Sequence, residues 1–206
     1  VAGYALSDRA REILAEGDRR IFERPRGSAH DGWVMAVFSV PEAERQKRHT
    51  LRSRLSWLGF GTVAAGVWIA PAHLEEETRD VLERYGLAPY VRLFRADFLG
   101  FGEVRDQVSS WWDLEELEQQ YEDFSDTHAP VLARWRRRRL DDDAAAFADY
   151  VRALTFWRRL PFLDPGLAPE LLPKRWQGAR AADLFFALQD RLAEPAHRHV
   201  AVVTHR

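Results

Sequence analysis

The chain contains no cysteine among its 206 residues, which excludes disulfides, thiolate metal sites and cysteine nucleophiles together. That absence fits a reducing compartment, and the expectation is a cytoplasmic protein. Lysine is nearly absent too: only Lys47 and Lys174 stand beside 28 arginines. The 30 cations face 32 acids for a net charge of −2. This balance excludes a uniformly basic nucleic-acid coat, though not a local basic face. No apolar run approaches the roughly 18–20 residues that would span a membrane. The longest, Val34–Phe38 and Val63–Ala70, have strand length. A signal peptide pattern is missing, because the first twenty residues mix Asp, Glu and Arg throughout. There is no phosphate-binding glycine loop, nucleophile elbow or His-Glu-x-x-His. Gly59-Phe60-Gly61 and Gly100-Phe101-Gly102 are too short to cradle a phosphate and read as turns.

What is present suits a folded protein, with 46% hydrophobic and 30% charged residues. The length suggests one or two compact units plus a fragment. Val1–Leu6 reads as a short extended segment. Ser7 offers an N-cap to a helix that Gly17 stops. Such a piece cannot bury its own apolar face. With the opening Val, it reads as part of a longer protein. Pro25-Arg26-Gly27-Ser28 is a linker by composition.

A second unit starts at Trp33. Trp33–Phe38 is a buried-strand run ended by Pro41. Glu42–Leu58 reads as a helix with Leu51, Leu55 and Leu58 at helical spacing. Thr62–Ala65 and Val67–Ala70 suggest a hairpin around Gly66. Pro71–Tyr85 carries a helix stopped by Gly86, and Val91–Phe98 a last strand. The order βαββαβ is the split βαβ, ferredoxin-like arrangement. From Trp111 the pattern turns helical, through Leu114, Leu117, Tyr121, Phe124, Leu132 and Trp135. Further helices run over about 142–158 and 178–192, around a Pro-rich loop from Pro161 to Pro173. Val200–Val203 is a short strand or a helix end. The expected fold class is α+β, divided into 1–28, a trailing piece of an N-terminal domain with a linker; 29–102, ferredoxin-like; and 103–206, an all-helical C-terminal domain.

Several clusters invite a chemical reading. His197 and His199, with His205, would ligate a metal only if they shared a strand face; otherwise they form a solvated tail, and no carboxylate stands at ligand spacing. The helix from Glu42 carries Arg45, Lys47, Arg48, Arg52 and Arg54 against Glu42 and Glu44. It is either a phosphate-contacting face or the solvated side of an amphipathic helix. Arg134, Arg136, Arg137, Arg138 and Arg139 surround Trp135, next to Asp141-Asp142-Asp143, which suit the cap of the following helix. They are either a solvated helix end or an anion site. Eight tryptophans are many for this length. Trp33, Trp57 and Trp68 read as core. Trp111, Trp112, Trp157 and Trp176 lie near Arg158, Arg159, Lys174 and Arg175. Aromatic walls beside cations suit an aromatic acyl group joined to phosphates, with core packing as the alternative for any one of them.

Three stretches together resemble the PaaX family. Tyr4-Ala5-Leu6-Ser7, the helix to Gly17 and Arg20-Ile21-Phe22 look like the wing strand and closing helix of a winged helix-turn-helix. Trp33–Val40, Pro41-Glu42, Arg45, Arg48, Leu51-Arg52, Leu55, Leu58–Gly61 and Gly66–Pro71 are similar to the family's central region. Trp112-Asp113-Leu114, Tyr121, Phe124, Trp157-Arg158, Pro161, Asp164-Pro165, Leu171-Leu172-Pro173, Trp176, Gly178 and Ala181 extend the likeness. The resemblance implies a transcriptional repressor of aromatic-acid catabolism. Its best-known members control phenylacetate degradation and are released by phenylacetyl-coenzyme A. It also implies a winged-helix head, a ferredoxin-like middle, a helical C-terminal domain and a homodimer. Tyr4–Phe22 corresponds only to the trailing edge of the head, so the chain is expected to bind operator DNA poorly or not at all.

On this reading the protein is not an enzyme. It has no cofactor, catalytic residue, metal or membrane partner. Its partners are operator DNA, an aryl-acyl-CoA effector and a second copy. Arg134, Arg136, Arg137, Trp157, Arg158, Arg159, Lys174 and Trp176 are the candidate effector contacts. Arg9, Arg11, Arg19 and Arg20 are candidate DNA-backbone contacts. The middle also resembles the small CRISPR-associated nucleases. Those place an Asp at the end of the first strand, where this chain has Phe38-Ser39-Val40-Pro41. A metal-dependent nuclease, whose hard cation needs carboxylates, is the disfavoured alternative. A dimerisation module without a ligand is the other.

Overall fold

The computed structural model describes residues 5–23, 26–28, 31–137 and 142–204. The chain divides into two compact units. One runs to Asp113 and takes in Pro161–Leu172; the other comprises Leu114–Leu160 and the chain from Pro173 onward.

The first unit is built on a four-stranded antiparallel sheet, ordered β2-β3-β1-β4. The strands are β1 (Trp33–Phe38), β2 (Gly61–Ala64), β3 (Val67–Pro71) and β4 (Val91–Ala96). Trp33 pairs with Pro71 on one side and Ala96 on the other, so β1 is central. Helices α2 (Arg45–Trp57) and α3 (Glu75–Arg84) complete the ferredoxin-like βαββαβ order. A short 3₁₀ turn leads into each of them, at Glu42–Glu44 and Ala72–Leu74.

The period of two along the strands decides where the core sits. Val34 and Ala36 of β1, with Trp68 and Ala70 of β3, meet Leu51, Leu55 and Leu58 from α2 and Leu74, Val81 and Leu82 from α3. Each fully buried leucine contributes roughly 1.5–3 kcal/mol. The opposite face is closed at one end by α4 (Val104–Trp111). Trp33 stacks on Trp112 at 6.1 Å and meets Trp111 edge-on at 5.5 Å. Trp112 donates its indole N–H to the Gly59 carbonyl at 2.9 Å. Gly61 is obligatory here, because a Cβ would stand 2.6 Å from the Trp112 ring and 2.7 Å from the Trp111 carbonyl.

Preceding the sheet is α1 (Asp8–Phe22), capped by the Ser7 hydroxyl, which accepts from the Ala10 N–H at 3.2 Å. The expected extended segment falls mostly on residues 1–4, outside the described residues; Ala5 and Leu6 carry no strand. The compositional linker is anchored rather than loose. Arg26 donates to Asp164 at 2.9 Å and to the Leu167 carbonyl at 3.1 Å, and the Gly27 N–H reaches the Gly166 carbonyl at 3.2 Å.

The second unit packs α5 (Leu114–Arg137), α6 (Asp143–Trp157) and α8 (Gly178–Thr204); the one-turn α7 (Leu160–Leu163) leads back toward the first unit. Its core includes Leu132, Trp135, Ala146, Ala153, Leu188 and Leu192. Trp157 lies parallel to Phe185 at 4.8 Å. Asp142 caps α6, accepting from the Ala145 N–H at 2.9 Å. Val200–Val203 is helix, the last turns of α8.

Candidate functional site

The site takes shape where α1 meets α3. Residues 16, 19 and 20 recur at three- and four-residue steps, so they share one face of α1, which its C-cap Glu23 extends. In this helix that inward face is charged: Glu16 is its one buried residue, while Ile13 and Leu14 are 48% and 53% exposed. Charge therefore contributes to docking α1, beside the half-buried Ile21 and Phe22.

Glu16 accepts from Arg84 at 2.7 Å, with side chains 10% and 27% exposed. Arg20 reaches Glu77 at 3.5 Å and donates through Nε to the Pro161 carbonyl at 3.2 Å. Its guanidinium also sits 5.6 Å from the Trp57 ring and 5.4 Å from the Phe162 ring, which stack on each other at 5.0 Å. Gly59, at φ +91°, makes room: a Cβ would come within 3.1 Å of the Arg20 guanidinium and 3.2 Å of the Pro165 backbone.

Above these contacts lies a cavity of about 330 Å³. Arg19, Arg20, Arg26 and Arg84 line it with six acids: Glu16, Glu23, Glu76, Glu77, Asp80 and Asp164. Burial pushes the Arg20 guanidinium down and the Glu77 carboxyl up. Burial thus works against the charged form of both partners, and each is favoured by the other's opposite charge. His73, also on the wall, is held below the usual imidazole range by burial. Its buried Nδ1 has no hydrogen-bond partner among the described residues. Gly27 lets the backbone pass, since a Cβ there would meet that Nδ1 at 2.7 Å.

Comparison with known proteins fits this architecture. Residues 26–108 match the family model described as the PaaX protein central Cas2-like domain, and residues 112–202 match the PaaX-like protein C-terminal domain. The chain belongs to the PaaX family. It is 28% identical to the transcriptional repressor PaaX of Escherichia coli (strain K12) over 202 residues. That match takes in 94% of this chain and 62% of the relative, so the chain spans less than two thirds of the repressor's length. The solved structure of the uncharacterized protein Rv0674 from Mycobacterium tuberculosis superposes with a TM-score of 0.66 at 25% identity, covering 94% of this chain and 73% of that one. PaaX-family proteins are transcriptional regulators, not enzymes.

In this PaaX-family chain the residues singled out from sequence have different environments. Arg9 and Arg11 are exposed on α1, Arg11 pairing with Asp8 at 2.7 Å. Arg19 is exposed at the cavity wall. Arg20, with a side chain only 10% exposed, is turned into the cavity wall rather than outward. In the second unit Arg134 is held by Asp149, which also accepts from the Trp135 indole at 2.8 Å. Arg136, Arg137, Arg158, Arg159 and Lys174 are exposed. Arg138, Arg139 and Asp141 lie outside the described residues. Trp157 is wholly buried and serves the core. Trp176 is partly buried against Tyr121 at 5.5 Å, and its indole N–H has no partner among the described residues.

The strand-face arrangement of His197 and His199 is not found. Both lie in α8, where two residues turn about 200° around the axis. His205 lies outside the described residues. Among the described residues, no three His, Asp or Glu side chains gather as a metal ligand set. Among those residues, too, no helix is long and apolar enough to cross a membrane. Sequence reasoning missed the partners of Arg20. They come from α2, α3 and the return segment, and no local signal joins positions 20, 57, 77 and 162.

Proposed function

We infer that this chain is the sensing body of a cytoplasmic transcriptional repressor of aromatic-acid catabolism. Its effector is an aryl-acyl-CoA of the phenylacetyl-CoA type, and it works as a homodimer on operator DNA through a winged-helix head. The observation that carries the reading is the succession of the two family domains along one chain.

The attachment of α1 supports a mechanism. The helix is fixed by ion pairs and a guanidinium–aromatic stack, with no hydrophobic residue of α1 fully buried. Such contacts are directional and are lost together when geometry shifts. An effector that favours one dimer arrangement then needs only the usual coupling of about 1–3 kcal/mol to bias how α1 is held. The proposed contacts for the acyl-CoA are the exposed Arg136, Arg137, Arg158, Arg159 and Lys174, with the partly buried Trp176 offering an aromatic edge.

Calorimetric titration of the chain with phenylacetyl-CoA tests this, with free CoA and phenylacetate as controls. Saturable binding of the thioester well above both controls is the expected result. Equal binding of thioester and free CoA would overturn the aryl-acyl specificity, and no binding of any would remove the effector from this chain.

A further inference from the structure

The two helices that cover the sheet carry opposite net charge, and each leaves part of it without an ion-pair partner among the described residues. Helix α2 holds Arg45, Lys47, Arg48, Arg52 and Arg54 and not one acid. Three of these cations are engaged. Arg48 pairs with Glu42 at 2.9 Å and donates to the Val40 carbonyl at 2.8 Å. Lys47 is held by Glu44 at 2.9 Å and the Tyr90 hydroxyl at 2.6 Å, which leave its ammonium at a pKa of about 12. Arg54 lies 4.0 Å over the Tyr85 ring.

Arg45 and Arg52 have no acid partner among the described residues, and both are exposed. Seven residues apart, they return to the same side of the helix about 10.5 Å along its axis. His49, between them, and Ser56, one turn on, fall on the same exposed stripe, with Gln46 and Ser53 at its border. No carboxylate interrupts it. Arg45 also sits in the first turn of α2, where the helix dipole disfavours a cation.

We propose that the Arg45–His49–Arg52 stripe of α2 is a sequence-independent contact for the phosphate backbone of duplex DNA. Two arginines one stride apart, bordered by hydroxyl and amide side chains, form a backbone-contacting set, since those are the groups that meet phosphate oxygens without reading bases. The choice of DNA among polyanions rests on the regulatory reading above; the stripe itself does not. The contact is additional to any winged helix and belongs to the Cas2-like domain.

The test is fluorescence anisotropy of a labelled duplex of unrelated sequence, titrated with the full chain as salt rises from about 50 to about 200 mM. Single-stranded RNA and phosphatidylserine vesicles run in parallel. The double variant Arg45→Gln/Arg52→Gln is compared with Arg152→Gln/Arg180→Gln, two exposed arginines of the second unit, and thermal melts confirm that both are folded. The expected result is duplex binding whose log–log salt slope falls by roughly 1.8 in the α2 variant, at about 0.9 per lost phosphate contact, and is unchanged in the control. Failure of the chain to bind the duplex at the lowest salt, or an unchanged slope in the α2 variant, would overturn the proposal. So would α2-dependent binding to RNA or vesicles with none to the duplex. Phenylacetyl-CoA binding is read separately and is untouched by any of these outcomes.

Discussion

Helices α2 and α3 pack on the same hydrophobic core and treat charge in opposite ways. In α3 Glu75, Glu76, Glu77, Asp80 and Glu83 stand against Arg79 and Arg84, and two of its charges, Glu77 and Arg84, meet part-buried partners from α1. Glu75 takes Arg95 at 2.6 Å and Arg79 at 3.0 Å, Glu77 takes Arg20, and Arg84 takes Glu16. In α2 the excess is positive and the outermost cations are unanswered. Charge toward a partly dry interior acts as an adhesive between elements. The same kind of side chain turned to water is available for a partner. Composition does not separate the two cases; partners and exposure do.

The largest break in this contrast is expected at Arg20. Arg20→Ala removes the ion pair with Glu77, the carbonyl contact and the stack with Trp57 and Phe162. The expected loss is about 1–3 kcal/mol in urea denaturation, in the range for losing a part-buried charged contact, and Arg52→Ala on α2 is expected to move stability by less than about 0.5 kcal/mol. Equal effects would erase the distinction between the helices.

A second test takes a group that charge would harm. His128 is 4% exposed, lies 4.7 Å from Phe124 and 5.9 Å from Phe156, and neither ring nitrogen has a partner among the described residues. Burial holds its imidazole below the ordinary range. As pH falls through the unfolded value of about 6.5, the unfolded chain takes up a proton that the folded state refuses, so stability is lost toward acid. His128→Leu is expected to flatten the decline of the urea midpoint between about pH 7 and pH 5. His73, depressed in the same direction, contributes to the slope that stays. An unaltered decline in the variant would show that His128 is not the acid-labile group.

The smallest effect concerns the dipole. Arg45→Glu is expected to raise stability by about 0.3–1 kcal/mol, because an acid suits the first turn of α2. Arg52→Glu, in the C-terminal half, is expected to bring no such gain. A thermal melt separates them, and destabilisation by Arg45→Glu would give Arg45 a structural role that its exposure denies.

The sheet and its two helices were legible because their signal is local and periodic. Leu51, Leu55 and Leu58 mark one face of α2, and Trp33–Phe38 has the length and composition of a central strand. The ends of elements were less legible. Val200–Val203 reads as strand or helix because four apolar residues fit both periods, and the preceding turns of α8 decide for helix. The site was legible least. Arg20 reads as a phosphate contact because an arginine near a helix end looks the same in sequence whether it meets water or two aromatic rings. The α2 stripe shows in sequence as an excess of five cations over two acids. Which of them are engaged depends on Tyr85 and Tyr90, some 30 to 45 positions away.

The return of Pro161–Leu172 to the first unit has a consequence for synthesis. Phe162, Asp164 and Gly166, which hold Arg20, Arg26 and Gly27, are made long after the sheet is complete. At about 5–20 residues per second, the ribosome needs roughly 3 to 12 s to add the stretch from Leu114 to Leu172. For that interval the nascent sheet domain exists without its last seam. A chaperone or protease meets it with the Arg20 pocket half-built. A fragment ending at Asp113 would keep it in that state permanently.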